Sequence, residues 1–578
     1  MDNHRGAEAA PAPVDPARER YYGATYVGLA ALAALLPFVP AFVPTQDGPQ
    51  QVRLSAFLIE LRADPQSPLR AVYHDALGPV TGSLFTWFTY LLHPLLRVET
   101  SERLWLSLCI AAFAAVGWLL CRAAHPQAPA RALLLTPFFL NGFVTFGFFP
   151  YLASVPLAAG AAWLLLRPTT DGASSTRQRW ARAVLASPLL ALCCLGHISS
   201  LMLALGVVLL LALLQQRRVA RLVPTALAFV PALLLAVHSS RVLALTPSGH
   251  QTPISDFIEL LSPAQALGEL FGCSLAGVSP LDLGLQGAAL VLALGLLGLS
   301  IYRGEHRRWP HLVLALLGAG LLVLPSRYKG WHYASARVIP FMLLLLPATA
   351  WWPRAGSRPE RWLAGAAALL ALGATLSIGL GWQGLGQRLE VVAGAASVLT
   401  PGARVLPLTF APGAEAPPAV RAAGRSLHAW ALPTRLARAM VPFGFENMRR
   451  LMIVARADAR PPFPPGPDEF AASVLWDHPP ERARIFADYG FYAKDITDTA
   501  RFLLPGIADP AFYDALRTAV LHKAEAGFHY VLAIDAPPRF QAQARARGWP
   551  CLYQRQGVYV YRMPLSLSTL VLPYGADR

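Results

Sequence analysis

Long runs of apolar residues are the feature that most constrains the fold of this chain. Eleven runs of 15 to 22 residues lie within the first 381 positions, and they lack the spacing of 2 or 3.6 residues that marks a half-buried strand or helix. The chain is 55% hydrophobic and only 14% charged, whereas soluble proteins carry about a quarter charged residues. The sequence therefore predicts an α-helical polytopic membrane protein with about 11 transmembrane helices. The runs are 22–43, 104–121, 131–147, 150–166, 183–197, 198–214, 222–238, 284–301, 311–325, 337–352 and 362–381.

Arginine is unevenly distributed among the connections between these runs. It occurs at every second connection, while the connections near residues 148 and 197 contain no Lys or Arg. Cytoplasmic loops carry the excess of basic residues, so the pattern places the N-terminus in the cytoplasm and everything after Trp382 outside. The arginine-rich loops are marked by Arg122 and Arg131; Arg167, Arg177, Arg179 and Arg182; Arg217, Arg218 and Arg221; Arg303, Arg307 and Arg308; and Arg354, Arg358 and Arg361.

The net charge of +16 does not indicate a nucleic-acid partner. Much of it comes from short loops between apolar runs, and no basic face with interleaved aromatic residues is present. The excess of Arg over Lys, with abundant Ala, Pro and Gly, is typical of a GC-rich bacterial genome. The predicted location is a bacterial inner (plasma) membrane, crossed several times.

The chain divides into three regions. Residues 1–20 are polar and are predicted to be a disordered cytoplasmic N-terminus, and residues 21–381 are predicted to form the transmembrane domain. Within it, Pro79–Arg97 is predicted to be an interfacial helix, because counting it as a span would invert every later loop and its aromatic residues suit the membrane interface. The first outer loop, 44–103, is therefore long.

Residues 382–578 have a water-soluble composition and are predicted to form an extracytoplasmic α/β domain. Apolar segments rich in β-branched and aromatic residues predict strands, and segments bounded by Pro and Gly predict helices. The last strand segment is predicted to be a hairpin turning at Gln556-Gly557. The predicted strands are Arg404–Phe410, His529–Asp535 and Cys551–Met563, and the predicted helices are Pro510–Gly527 and Pro538–Gly548.

The first outer loop opens with an acidic residue, Asp47, in the segment TQDGPQ. A carboxyl group at the membrane–water boundary is partly desolvated, and its pKa then rises toward that of a useful base. The turn at Gly48-Pro49 would fix its direction. The structural alternative is that Asp47 simply ends one helix or starts the next as an N-cap.

Basic residues gather in one late outer connection, at Arg327, Lys329 and Arg337. Positive charge on this side of the membrane runs against the insertion bias, and arginine forks pair with phosphate oxygens while lysine adds a point charge. These residues are predicted to bind a phosphate of the substrate. Contact with lipid headgroups is the alternative.

Two further residues are candidates for substrate contact. His197 stands at a tight outer turn between two spans, where a helix-end histidine also has an ordinary structural explanation. Arg241 lies in the long outer loop 239–283 with His250, Asp256 and Glu259, which suits a substrate wall or lid and equally a solvated loop.

The six cysteines do not predict a disulfide framework or a zinc site. Four lie in or beside apolar runs, where Cys behaves as a small apolar residue, and no CxxC or His-rich spacing is present. No cofactor is predicted from these residues, and the use of a divalent metal stays an open question.

This layout resembles the C-type glycosyltransferase superfamily, whose multi-span enzymes take a sugar from a polyprenyl-phosphate carrier. In the resemblance, Asp47 matches the acidic residue that starts the outer loop, and 79–97 matches the interfacial helix. Arg337 in SARVIPFMLLLLP matches the arginine that opens a late span and is linked to carrier phosphate. A second outer acid, which several members carry near the third and fourth spans, has no counterpart in 141–152.

The resemblance implies an enzyme that transfers a hexosyl or pentosyl group from a lipid-phosphate donor, with inversion and with Asp47 as general base. Arg337, with Lys329 or Arg327, would stabilise the departing phosphate. The implied partners are a polyprenyl-phosphate-linked sugar, a lipid, glycan or protein acceptor, and membrane lipids.

Other function classes stay open. An O-antigen-type polymerase or ligase differs mainly in which outer loop holds the arginines, and a non-catalytic membrane transport or assembly protein would also display an outer domain. A flippase or transporter is disfavoured, since the spans carry almost no mid-membrane charge and no internal repeat.

Overall fold

The computed structural model is mostly helical, with a small sheet near the C-terminus. It describes residues 16–71, 73–75, 78–166, 176–215, 222–245, 258–304, 309–325, 327–328, 335–410, 429, 431–439, 441, 453–455, 518, 520–522 and 524–564. The helices are α1 (Pro16–Leu35), α2 (Gly48–Ala63), α3 (Leu84–Leu92), α4 (Val98–Ala124), α5 (Gly142–Phe146), α6 (Phe149–Leu166), α7 (Thr176–Gly196), α8 (Ile198–Gln215), α9 (Val223–Leu245), α10 (Pro263–Ser274), α11 (Pro280–Tyr302), α12 (Trp309–Val323), α13 (Ile339–Thr349), α14 (Arg358–Gly394), α15 (Ala431–Leu436) and α16 (Pro538–Ala546). The strands are β1 (Tyr73–Asp75), β2 (Ile258–Glu259), β3 (Arg327–Tyr328), β4 (Val405–Thr409), β5 (Ile453–Ala455), β6 (Tyr530–Ile534), β7 (Cys551–Arg555) and β8 (Val558–Arg562).

Seven helices of the described part of the chain are long and apolar enough to cross a membrane, namely α1, α4, α6, α7, α9, α11 and α14. Each coincides with one of the eleven predicted spans. Three more predicted spans, at α8, α12 and α13, are shorter apolar helices. The chain is therefore a multi-pass membrane protein, and the count of eleven spans stays a prediction.

The predicted span 131–147 is not one regular helix. It consists of a 3₁₀ helix, Pro129–Phe138, followed by a break and the short helix α5. Pro137 lacks an amide donor, and Asn141 caps α5 by accepting a hydrogen bond from the amide of Phe143 at 3.0 Å, so both residues interrupt a continuous helix.

The ends of the transmembrane domain also differ from the predicted boundaries. Helix α1 begins at Pro16, so residues 16–20 are helical rather than disordered. Proline is favoured in the first helical turn, and Arg18 is paired there with Glu360 of α14. At the other end, α14 continues past the predicted boundary at residue 381 as far as Gly394.

The loop between α1 and α4, which the sequence predicts to lie outside, contains α2 and the nine-residue helix α3. At 1.5 Å per residue α3 is about 14 Å long, less than half the ~30 Å hydrocarbon thickness. It buries Phe85, Thr86 and Thr89 and exposes Leu91. This amphipathic arrangement supports the interfacial position predicted for 79–97.

The C-terminal sheet has the strand order β4-β6-β8-β7, with β4 parallel to β6 and the other pairs antiparallel. The sequence predicted these four strands, including the hairpin at Gln556-Gly557, and it also predicted α16. Most of the predicted helix 510–527 lies outside the described residues. One sheet face packs on Phe540 of α16 and the other on the C-terminal end of α14. Arg388 of α14 also pairs with Asp535 at 2.6 Å, and Tyr553 donates a hydrogen bond to the Val391 carbonyl at 2.7 Å.

The predicted orientation can be tested with fusion reporters. A reporter placed after residue 382 is expected to be active only outside the cytoplasm, and one placed within 168–180 only inside, because the arginine pattern assigns these segments to opposite faces. Activity of both reporters on the same side would contradict the count of eleven spans. The segment 79–97, predicted to be an interfacial helix and not a span, would be the first assignment to revise.

Candidate functional site

Asp47 occupies the N-cap position of α2, but its side chain does not cap the helix. Its main-chain carbonyl accepts from the amides of Gln50 and Gln51, both at 3.1 Å, while no side-chain cap hydrogen bond forms. An N-cap aspartate normally stabilises the helix by accepting from the second or third amide. Asp47 thus stands at the N-cap position that the structural alternative predicts, but the side-chain hydrogen bond typical of such a cap is missing.

The backbone of Asp47 is fixed by the segment that precedes α6. The Asp47 amide donates to the Phe146 carbonyl at 2.9 Å, and the Gln46 amide donates to the Thr145 carbonyl at 3.0 Å. Asp47 itself is only 4% exposed. Burial raises the pKa of Asp47 to about 8, because the charged carboxylate loses hydration.

Two glycines allow this close approach of the outer loop to α6. A Cβ on Gly48 would lie 2.0 Å from the Thr45 hydroxyl and 2.9 Å from both Glu102 Oε1 and the Phe149 ring. Gly147 has a φ of +74°, and a Cβ there would lie 2.7 Å from the Gly48 amide nitrogen. Only glycine fits both positions without strain, so the local sequence fixes Asp47 against α6.

Arg337, His197 and Tyr151 form a buried cluster at the N-terminal end of α6. The Arg337 guanidinium lies 3.1 Å from His197 Nδ1 and also contacts Nε2, and its Cζ is 5.6 Å from the Tyr151 ring centroid. The Tyr151 hydroxyl donates to the Arg337 carbonyl. Arg337 is 9% exposed, so a buried cation is held by aromatic and imidazole groups.

The first turn of α6 joins this cluster to the surroundings of Asp47. The Phe149 ring lies against Gly48, and the Phe149 carbonyl accepts from Trp105 Nε1 of α4 at 3.0 Å. Tyr151, two residues later, holds Arg337. The predicted acidic and cationic residues thus both contact the segment 146–151, Asp47 at Phe146 and Arg337 at Tyr151.

The other predicted binding residues are not shown to join the cluster around Arg337. Arg327 lies in β3, which pairs with β2 so that Arg327 is the partner of Glu259 in an antiparallel bridge. Arg241 is exposed near the end of α9, whereas Arg337 is buried. Lys329, His250 and Asp256 lie outside the described residues, so their roles stay predictions.

Sequence reasoning missed several polar residues near the site. Tyr151 was not singled out, although it is the one tyrosine among the apolar residues of α6. Glu102, at 5% exposure, places a second carboxyl group beside Gly48. In the sequence, a second acid was sought only in 141–152, which contains none. Glu269 of α10 accepts a hydrogen bond from the Ser335 hydroxyl at 3.1 Å, two residues before Arg337.

An apolar cavity of about 110 Å³ lies deeper along the same helices. Its wall includes Phe341, Leu344 and Leu345 of α13, which lie 4, 7 and 8 residues after Arg337 and so roughly 6 to 12 Å further along the helix. Small side chains of α6 and α8, such as Ala158 and Ala204, leave the space open. Across the residues that the structure describes, no three His, Cys, Asp or Glu are grouped so as to hold a metal ion.

Comparison with known proteins gives a match in structure alone. No family model matches the sequence, and no curated protein matches it. The fold is similar to that of ArnT from Cupriavidus metallidurans bound to undecaprenyl phosphate, with a TM-score of 0.51 and 14% identity over 97% of this chain and 99% of that chain. A second structure is the arabinofuranosyltransferase AftD from Mycobacteria, with a TM-score of 0.46 and 18% identity over 95% of this chain and 40% of that chain.

The match to ArnT extends over both the membrane helices and the outer sheet, since almost the whole of each chain is covered. It agrees with the resemblance that the sequence showed at the first outer loop and the late span. This chain is therefore a multi-pass membrane protein whose fold is similar to that of ArnT.

Proposed function

We propose that this chain is a membrane glycosyltransferase that moves a sugar from a polyprenyl-phosphate carrier to an acceptor on the extracytoplasmic side. The observation that carries the proposal is the buried Asp47 carboxyl group, which stands at a helix start without capping the helix. A buried arginine, Arg337, is held near the same end of α6. The fold shared with ArnT, solved with undecaprenyl phosphate, supports this class of carrier.

In the proposed reaction, Asp47 accepts the proton of an acceptor hydroxyl group. The acceptor oxygen forms a bond to the anomeric carbon on the face opposite the phosphate, and the bond between that carbon and the phosphate oxygen breaks. The phosphate keeps the electron pair, and Arg337, with Lys329 or Arg327, stabilises its charge. A single displacement of this kind inverts the anomeric configuration. The proposal requires no cofactor.

A short part of the carrier's isoprenoid tail would lie in the apolar cavity beside α13. Arg337 stands at the outer start of this helix and the cavity begins one turn further in. A phosphate at Arg337 and a tail against Phe341 and Leu344 would follow the direction of the membrane normal. The cavity wall is almost entirely apolar, which matches a hydrocarbon chain.

The proposal is tested by binding and transfer with the full-length protein in lipid nanodiscs. Undecaprenyl phosphate is expected to raise the melting temperature, since a ligand that binds only the folded protein stabilises it, and lipid extracted from the purified protein should contain a polyprenyl-phosphate sugar. Sugar transfer to extracted envelope lipids, glycans or proteins should follow. Enrichment of a diphosphate-linked oligosaccharide instead would favour the polymerase or ligase class, and no bound polyprenyl lipid would contradict the proposal.

A further inference from the structure

A segment of the outer domain packs directly on the helix that follows Asp47. Helix α15 and the turn after it contact both α2 and α14. Arg53 of α2, 1% exposed, donates from its Nη2 to the Ala439 carbonyl at 3.2 Å, and its guanidinium lies 4.3 Å from the Phe57 ring centroid. A guanidinium this deeply buried needs such partners, so α2 depends on the outer domain for this contact.

The turn after α15 has the shape needed to present that carbonyl. Arg438 adopts a left-handed conformation with a φ of +53°, and the Ala439 amide donates back to the Thr434 carbonyl at 2.7 Å. A non-glycine residue in this region is conformationally costly. The surrounding contacts therefore hold the turn in place, and they include the Gly402 amide, which donates to the Arg438 carbonyl at 3.1 Å.

An ion pair joins the same segment to the second span. Arg435 Nη2 lies 2.6 Å from Glu99 Oε1, and the Arg435 side chain is buried. Glu99 is in the first turn of α4, three residues before Glu102, whose carboxyl group lies beside Gly48. Because the arginine is largely shielded from water, removing Glu99 from this pair costs more than breaking an exposed pair, since a mostly buried charge loses a partner. It connects the outer domain to the residues that surround Asp47.

A backbone link accompanies these side-chain contacts. Strand β1 of the first outer loop pairs antiparallel with β5, so that Tyr73–Asp75 is opposite Ile453–Ala455. We propose that Arg435 is a positioning residue for transfer, which fixes α2 and thereby Asp47 through its ion pair with Glu99. The inference rests on the proposed function, and it assigns the outer domain a part in aligning the base.

Charge reversal in the full-length protein tests this role. Arg435→Glu and Glu99→Arg are each expected to lower kcat about tenfold, because a small misplacement of a reacting group is costly. The Kd for undecaprenyl phosphate should stay within about twofold, since Arg337 is untouched. The double variant should recover at least half of the decrease in log kcat. Glu99→Gln, which keeps the side-chain shape, serves where a reversed charge prevents folding. Its expected loss of kcat is about threefold or more.

Arg547 provides a matched control. Its 2.8 Å ion pair with Glu525 lies within the outer domain, and both side chains are 27% exposed, close to the 28% of Glu99. Arg547→Glu should leave transfer within about twofold of the unchanged protein, because its pair does not join α2 or α4. An equal loss in Arg547→Glu and Arg435→Glu, or no recovery in the double variant, would overturn the positioning role.

Hydrogen exchange separates this inference from the proposed function. Amides of α2 should exchange faster in Arg435→Glu and regain protection in the double variant, since exchange reports local opening without any need for activity. Unchanged exchange in α2 overturns the inference. If the exchange pattern is as expected but the protein transfers no sugar from any polyprenyl-phosphate donor, the contact is supported and the proposed function is contradicted.

Discussion

Replacement of Asp47 by Asn is expected to lower sugar transfer about a hundredfold or more, the usual scale for loss of a general base. The amide keeps the shape of the side chain but cannot accept the proton of the acceptor. Expression, membrane insertion and binding of undecaprenyl phosphate should stay nearly unchanged, because the Asp47 side chain caps no helix and the α2 backbone bonds remain. The measurement is the single-turnover rate with bound donor.

The pH dependence gives a second readout of the same variant. A base must be ionised to accept a proton, and burial raises the pKa of Asp47 to about 8. Transfer by the unchanged protein should therefore increase with pH up to about 8 and level off above it. The Asp47→Asn variant should lack this increase.

Asp75 in the same outer loop is the control for Asp47. It is exposed and pairs with Arg62 at 3.2 Å, so Asp75→Asn should change transfer only mildly. Asp47→Glu should recover part of the activity where the geometry allows a longer side chain. If Asp75 proved essential and Asp47 dispensable, the mechanism would have to be rebuilt around Tyr73-His74-Asp75.

Replacement of Arg337 by Ala is expected to weaken binding of undecaprenyl phosphate about thirtyfold or more. Truncating one partner of a buried, hydrogen-bonded charge pair costs at least ~2 kcal/mol, and that free energy corresponds to about thirtyfold in Kd. The loss should exceed that of Lys329→Ala, because a fork of donors disappears rather than a point charge. Isothermal titration or a melting shift with the lipid in nanodiscs measures it.

Arg303 is the control for Arg337. It stands at the C-terminal end of α11, with its Cζ 4.4 Å from the Trp351 ring centroid, so Arg303→Ala removes a comparable arginine–aromatic contact away from α6. Its effect on the Kd should stay within about twofold. Unchanged affinity in Arg337→Ala would contradict the phosphate role and favour contact with lipid headgroups.

Much of the fold could be predicted because its signals are local. Apolar runs locate seven long helices, and short apolar segments rich in β-branched and aromatic residues locate β4, β6 and the final hairpin. Asp47 and Arg337 were found because an acid and a cation are unusual where spans meet the outer loops. The signal for each residue therefore lies in the few residues that surround it in the sequence.

The contacts between distant segments could not be predicted from one sequence. Arg337 and His197 are 140 residues apart, and their contact depends on how α6, α8 and α13 pack. Glu102 was missed because it lies in the predicted outer loop but folds into the first turns of α4. Arg435 lies in a Pro-rich stretch without clear periodicity, so its ion pair with Glu99 emerges only in the fold.

The length of α14 limits which acceptors the outer domain can present. Its 37 residues correspond to about 56 Å, nearly twice the ~30 Å hydrocarbon thickness. Arg388 and Tyr553 join the sheet to the C-terminal end of this helix. If the C-terminal domain binds the acceptor, the acceptor would have to span the distance from the sheet to Asp47, and chemically identical acceptors would then be selected by their length.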